Sequence, residues 1–193
     1  MKVIFLDIDG VLNSQDGYKN GECQYVTWQN EQGKEEHYQA FCSWSKEWLN
    51  KLIEGTDAKI VISSTWRRSG IDFLKKVWEI EGMNGEIIGI TPSFRGEIDG
   101  YTIPRGCEIQ KWLRDNGFHH INWSREAQDE NIKRSGIENY LIIDDDSDML
   151  YCQKDNFLHV LPSPRNTRGF DRDHYVKGMQ MLSWTVTEQT YGI

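Results

Sequence analysis

The sequence predicts an α/β fold built on a parallel sheet of about five strands with helices on both faces, and three observations carry that prediction. Met1–Leu6, Ala58–Ser63 and Tyr140–Ile143 are apolar runs without alternation, the pattern of strands buried on both faces. Segments with helical spacing of apolar residues separate them, as a parallel sheet requires of its crossovers. Each of these strands also runs into a polar cluster: Asp7-Ile8-Asp9-Gly10, Ser63-Ser64-Thr65 and Asp144-Asp145-Asp146-Ser147-Asp148. Ligands of such sheets gather at the carboxyl ends of the strands, so the clusters should meet in one crevice.

Taken in order, the first strand shows no alternation from Val3 to Leu6, and Gly10 ends the run. Residues 14–41 are polar, rich in Gly and Asn and dotted with aromatics; Tyr25–Gln29 reads as one strand of a small hairpin outside the main sheet. Ser43–Glu54 follows as a helix, with Ser43 or Ser45 as N-cap and Trp44, Trp48, Leu49 and Leu52 on one face. After the second strand, helical spacing resumes with Ile71, Leu74, Val77, Trp78 and Glu81 and closes at Gly82. Glu86–Ile90 is a third strand, ending at Thr91-Pro92. A loop over 93–104 with Arg95 and Gly100 leads to a helix over 105–116, with Ile109, Trp112 and Leu113 inward and Gly117 as the stop. Residues 118–138 are polar and predict a helical turn or two. Tyr140–Ile143 is the fourth strand, Phe157–Leu161 the fifth, and Asp173–Leu182 a last helix.

The length of 193 residues suits one domain, here 1–193, with a small insertion at about 14–41. A net charge of −8 argues against broad binding along a phosphate backbone, which needs a cationic face. Cys23, Cys42, Cys107 and Cys152 form no C-x-x-C pair and read as buried or idle thiols rather than a zinc site or disulfide frame. The N-terminus reads as a strand rather than a signal peptide, and no stretch reaches the roughly 18 apolar residues of a membrane span. No membrane partner and a cytoplasmic location are the expectation, and nothing in the chain predicts an oligomeric state.

Each polar cluster alone suits a plain role. D-x-D fits a solvated turn, the D-D-D-S-D run an acidic helix start, and Ser-Ser-Thr an N-cap. Together they put several carboxylates into one crevice. These would repel one another and resist leaving water unless a hard cation stood among them. Mg2+ takes carboxylate, carbonyl and water oxygens, and a site of this kind then accepts a substrate phosphate.

The strings I-F-L-D-I-D-G-V-L, I-V-I-S-S-T and L-I-I-D-D-D-S-D resemble motifs I, II and IV of the haloacid dehalogenase-type (HAD) phosphohydrolases, in order and spacing across residues 1–150. S-S-T-W-R, R-G-x-E-I-x-x-W-L and I-I-D-D-D-S-D-M further resemble the HAD domains of RNA-repair and polynucleotide phosphatase proteins. The resemblance implies a Rossmann-like sheet with residues 14–41 as a C1-type β-flap. It implies Asp7 as the nucleophile forming an aspartyl-phosphate. Asp9 would be the acid that protonates the leaving oxygen and then the base that takes a proton from water, with its backbone carbonyl on the metal. Ser63, or in its place Ser64, would donate a hydrogen bond to the phosphoryl oxygens, with Thr65 and nearby backbone N–H groups beside it. For the cation of the third motif the choices are Arg105 first and Lys111 second, with Arg67 lining the pocket. Asp144 and Asp145 would complete the Mg2+ shell and Asp148 would orient or join them.

The expected function is a Mg2+-dependent phosphomonoesterase. A flap too small to roof the crevice suits a phosphorylated nucleotide or nucleic-acid end, with Tyr18, Tyr25, Trp28 and Tyr38 available to stack a base. The competing readings are a phosphatase of a small metabolite or phosphoprotein, a receiver-like signalling module, and a non-catalytic binding module of the same fold. A receiver places adjacent acids after the first strand, whereas here the spaced pair comes first and the adjacent acids late.

Overall fold

The computed structural model describes residues 1–94, 103–119, 125–161 and 167–183. The loop positions Arg95 and Gly100 lie outside the described residues, as do 120–124, 162–166 and 184–193. The main sheet holds the five expected strands, all parallel, in the order β5-β4-β1-β6-β7. They are β1 (Lys2–Leu6), β4 (Lys59–Ile62), β5 (Ile87–Ile90), β6 (Asn139–Asp144) and β7 (Phe157–His159). The hairpin expected outside the sheet is β2 (Tyr25–Gln29) paired antiparallel with β3 (Glu35–Gln39). The helices are α1 (Gln15–Asn20), α2 (Ser43–Thr56), α3 (Ile71–Ile80), α4 (Arg105–Asp115), α5 (Arg125–Ser135) and α6 (Arg172–Ser183).

β1 lies at the centre because its residues are apolar on both sides. Ile4 and Leu6 join a core with Leu49 and Leu52 of α2, Leu74 and Val77 of α3 and Leu182 of α6. Val3 and Phe5 face the other way and pack with Ile109, Trp112 and Leu113 of α4. The Phe5 ring meets Trp112 edge-on at 5.3 Å and Tyr140 at 5.9 Å, the geometry aromatic quadrupoles favour. Successive strand residues point to opposite faces, so one uninterrupted apolar run fills two cores.

Local sequence departs from expectation at helix starts. Neither Ser43 nor Ser45 caps α2; its N-cap is Cys42, which makes no side-chain cap. The Glu22 carboxylate accepts the Ser43 N–H at 2.8 Å instead, and a carboxylate at a helix N-terminus also complements the dipole. The short helix α1 was hidden in the polar segment 14–41; Ser14 caps it and Gly21 ends it at φ 76°. The polar stretch before β6 holds α5, a helix of 11 residues, longer than the turn or two expected. Cys23 lies in the loop before β2 and Cys42 just before α2, yet their sulfurs lie 3.3 Å apart and buried as free thiols.

Candidate active site

Parallel pairing in register brings the strand ends level. Asp7 follows β1, its N–H bonded to the Ile143 carbonyl, and the Ser63 N–H bonds the Leu6 carbonyl. Asp144 is the last residue of β6. Asp7, Asp144 and Asp145 each turn a carboxylate oxygen inward, and these atoms lie within 4.8 Å of one another. Asp7 and Asp144 are buried and Asp145 is half-buried.

One cation answers these charges directly. The Arg105 guanidinium donates to Asp7 Oδ1 at 2.6 Å and stands 3.1 Å from Asp144 Oδ2. Burial works against charge on Arg105, but Asp7 and Asp144 outweigh it and hold its pKa above the ordinary value. A single arginine is not enough. Burial raises the Asp7 pKa despite Arg105. Burial and the nearby Asp7 push Asp144 up to about 8 and Asp145 up to about 6. Asp144 Oδ2 is buried and accepts no hydrogen bond. A crowded, under-neutralised set of carboxylate oxygens, one of them buried with an ion pair to Arg105 but no hydrogen bond, fits a hard divalent cation such as Mg2+.

Gly10 makes the cluster possible. It sits at φ 79°, and a Cβ built on it would fall 2.1 Å from Asp145 Oδ2. A side chain at this position would therefore displace one of the carboxylates that face Asp7.

Arg105 is aimed by what holds α4. The Arg105 N–H donates to Asp148 Oδ2 at 2.7 Å, and the Gly106 N–H to the Asp148 carbonyl at 3.2 Å. Gln153 donates to the Gly106 carbonyl and accepts the Leu150 N–H, each at 2.9 Å. A Cβ on Gly106 would meet the Leu150 nitrogen at 2.5 Å, so the glycine lets helix and acidic loop touch. Asp148, expected to orient or join the metal ligands, is not one of the three grouped carboxylates; it accepts the first N–H of α4, its Oδ1 left buried without a partner.

The other expected residues divide. Asp9 stands at the mouth, exposed, and its side chain lies outside the carboxylate group. Asn13 Nδ2 donates to its Oδ1 at 3.1 Å and Trp66 Nε1 to its Oδ2 at 3.0 Å. The Ser63 hydroxyl is fully buried and unpartnered. The Ser64 hydroxyl acts on Asp7 as a hydrogen-bond donor that lowers its pKa, and accepts the Trp66 N–H at 3.4 Å. Thr65 is exposed at the start of a 3-10 turn over Thr65–Ser69.

Arg67 is not available to substrate. It is buried, donates to the carbonyls of Ser63 and Ser64, and pairs with the buried Glu108 of α4. Glu108 also accepts the Phe94 N–H at 2.9 Å. Burial lowers the Arg67 pKa, with Glu108 offsetting only part. Its role is to clamp the turn after β4 to the helix that carries Arg105. Lys111 is likewise outside the crevice, because it lies on the exposed face of α4 and holds Asp115, one turn on, at 2.6 and 2.7 Å.

Sequence reasoning missed Asn13, Trp66, Glu108 and Gln153. Arg105 and Glu108 at i and i+3 share a helix face, a signal present in R-G-x-E. Flap aromatics also divide: Trp28 and Tyr38 pack together at 5.7 Å, with Phe73 and Phe41 around them. Tyr18 and Tyr25 are 44% and 70% exposed and remain open to a stacking partner. Burial, with Asp9 among the nearby acids, pushes the Tyr18 hydroxyl up to about 12.

Among the described residues, no helix is long and apolar enough to cross a membrane. A family model described as the HAD domain in Swiss Army Knife RNA repair proteins matches residues 3–175. No curated protein matches the chain.

Proposed function

The chain belongs to the HAD domains found in Swiss Army Knife RNA repair proteins, and from that premise we propose that it is a Mg2+-dependent phosphomonoesterase acting on phosphorylated nucleic-acid ends through an aspartyl-phosphate. One observation carries the reading: Asp7, at the end of the central strand, is gripped by Arg105 and faced by Asp144 and Asp145 within 4.8 Å.

Asp7 is the nucleophile. Its carboxylate is weak at rest, and Arg105 both orients it and offsets the charge of an incoming phosphoryl group. Asp7, Asp144 and Asp145 would hold the metal, which would supply the positive charge that lets a phosphate dianion approach a carboxylate. Ser63 and Ser64 are equally buried, but the Ser64 hydroxyl already bonds Asp7 and is the better placed of the two to donate to a phosphoryl oxygen. Asp9, outside the metal-facing group, gives a proton to the leaving oxygen and takes one from the water that releases phosphate. The exposed Tyr18 and Tyr25 suit a nucleotide at the end of a strand.

The test is phosphate release from 3′- and 5′-phosphorylated RNA oligonucleotides, free nucleotides and p-nitrophenyl phosphate. Turnover is expected with Mg2+ and not with EDTA, and one kind of RNA end should exceed free nucleotides by about 10-fold or more in kcat/KM. Equal rates on all substrates would remove the nucleic-acid half of the reading. No turnover of any phosphomonoester would remove the rest.

Metal and protons compete for the same oxygens. Asp144 and Asp145, with pKa values raised from 3.8 to about 8 and about 6, bind protons more tightly in the folded, metal-free protein than in the unfolded chain. Between 3.8 and about 8 the folded state therefore carries more protons, and its stability falls as pH rises through that window. Mg2+ binds only the deprotonated acids and restores stability by mass action. Differential scanning calorimetry should show a larger Mg2+-induced rise in Tm at about pH 8 than at about pH 6. An equal rise at both would contradict the assignment of these acids.

A further inference from the structure

We propose that Trp66 is a positioning residue for the proton-transfer step, its indole N–H fixing the carboxylate of Asp9. The inference rests on the reading of Asp9 as general acid and deepens it.

Asp9 needs such help more than its neighbours. Asp7 and Asp144 are buried and locked by Arg105, whereas Asp9 is exposed at the mouth. An exposed carboxylate left to itself samples several rotamers, and proton transfer falls steeply with small misplacement. Two donors remove that freedom, one on each oxygen: Asn13 Nδ2 at 3.1 Å on Oδ1 and Trp66 Nε1 at 3.0 Å on Oδ2. Asn13 is buried and also accepts the Gly10 N–H at 3.3 Å, which accounts for it within its own turn.

Trp66 has no such local need. Its ring lies 6.3 Å from Tyr38 and 6.0 Å from Phe41, a packing role that a phenyl ring would also serve. Only the N–H distinguishes tryptophan there, and it is aimed at the acid. Its backbone N–H meets the Ser64 hydroxyl at 3.4 Å. One residue therefore touches both the proton donor and the hydroxyl beside the nucleophile. The ring is held by flap and turn together, so the indole nitrogen has a fixed direction from which to orient the carboxylate.

The step it serves is balanced. In the first half, an Asp7 oxygen bonds phosphorus as the bond to the leaving oxygen breaks, and the Asp9 proton passes to that oxygen to release an alcohol. In the second, a water oxygen bonds phosphorus, the aspartyl bond breaks, and a water proton returns to Asp9. The Trp66 N–H is not transferred.

The variant is Trp66→Phe, which keeps a ring against Tyr38 and Phe41 and deletes the donor. Values of kcat/KM are compared for an alkyl phosphate, whose leaving alkoxide needs a proton, and for p-nitrophenyl phosphate, whose leaving group is stable as an anion. Trp66→Phe should lower the alkyl phosphate value by about 10-fold and the aryl value by no more than about 2-fold. The ratio of the two does not depend on how much variant is folded, so a loss of active protein cannot mimic the effect. Asp9→Asn is measured in parallel and should show the same split, larger. If Asp9→Asn splits the substrates and Trp66→Phe does not, the positioning role is overturned. If Asp9→Asn shows no split, the general-acid reading beneath it falls instead.

Discussion

Asp7→Asn is expected to lower phosphatase turnover by about 10^4-fold or more while leaving the protein folded. On the proposed mechanism the loss is large because the variant deletes the atom that attacks phosphorus, and an amide oxygen cannot replace a carboxylate as nucleophile. The fold survives for a reason visible in the site. Arg105 stands 3.1 Å from Asp144 as well as 2.6 Å from Asp7, so it keeps a counter-charge when Asp7 is neutralised. Repulsion from Asp7 also contributes to the raised pKa values of Asp144 and Asp145. The metal-free variant should melt within a few degrees of wild type, or above it. Phosphate release under saturating Mg2+, with a thermal melt on the same sample, checks both halves. Residual turnover within about 100-fold of wild type would place the nucleophile elsewhere.

Arg67→Ala gives the largest expected loss of stability. The side chain and its partner Glu108 are 7% and 8% exposed, and removing one member of a buried pair leaves the other charge stranded. Such losses run to about 3–5 kcal/mol. The carbonyls of Ser63 and Ser64 also lose a donor. At this chain length, that corresponds to a Tm lower by roughly 6–20 °C. Glu108→Ala should cost a similar amount and the double variant less than the sum, because neither then strands a charge. Additive losses in calorimetry would mean that the two residues act independently. Activity should fall too, since the clamp sets the Ser64 turn against the helix that carries Arg105.

The main sheet was legible because its strands carry one signal with no competing one. Val3–Leu6, Ile60–Ile62 and Leu141–Ile143 are apolar at every position, and each faces a core on both sides. The acids at their ends were legible by type, since carboxylates at the tips of buried strands have few reasons to be there. Direction was not. D-D-D-S-D gives the same local pattern for a metal ligand and a helix cap, and only the docking of α4 turns Asp148 onto the Arg105 N–H. Ser63 and Ser64 are adjacent hydroxyls after one strand, and strand alternation alone could not say which one faces Asp7. Arg67 read as a candidate for phosphate because its acid partner is 41 positions away. α1 was obscured by its six-residue length and by Gly17, which is there for packing: a Cβ would fall 2.3 Å from the Cys42 sulfur.

The pairing of β1 with β6 matches Lys2 to Asn139 and Leu6 to Ile143. Asp7 is made well before the strand that brings its acidic partners, Asp144 and Asp145. Loop closure over such a separation is slow and depends on the intervening helices having condensed. Until that strand pairs, the first motif stands without the carboxylates that face it, and the three-acid cluster forms only as a long-range step of folding.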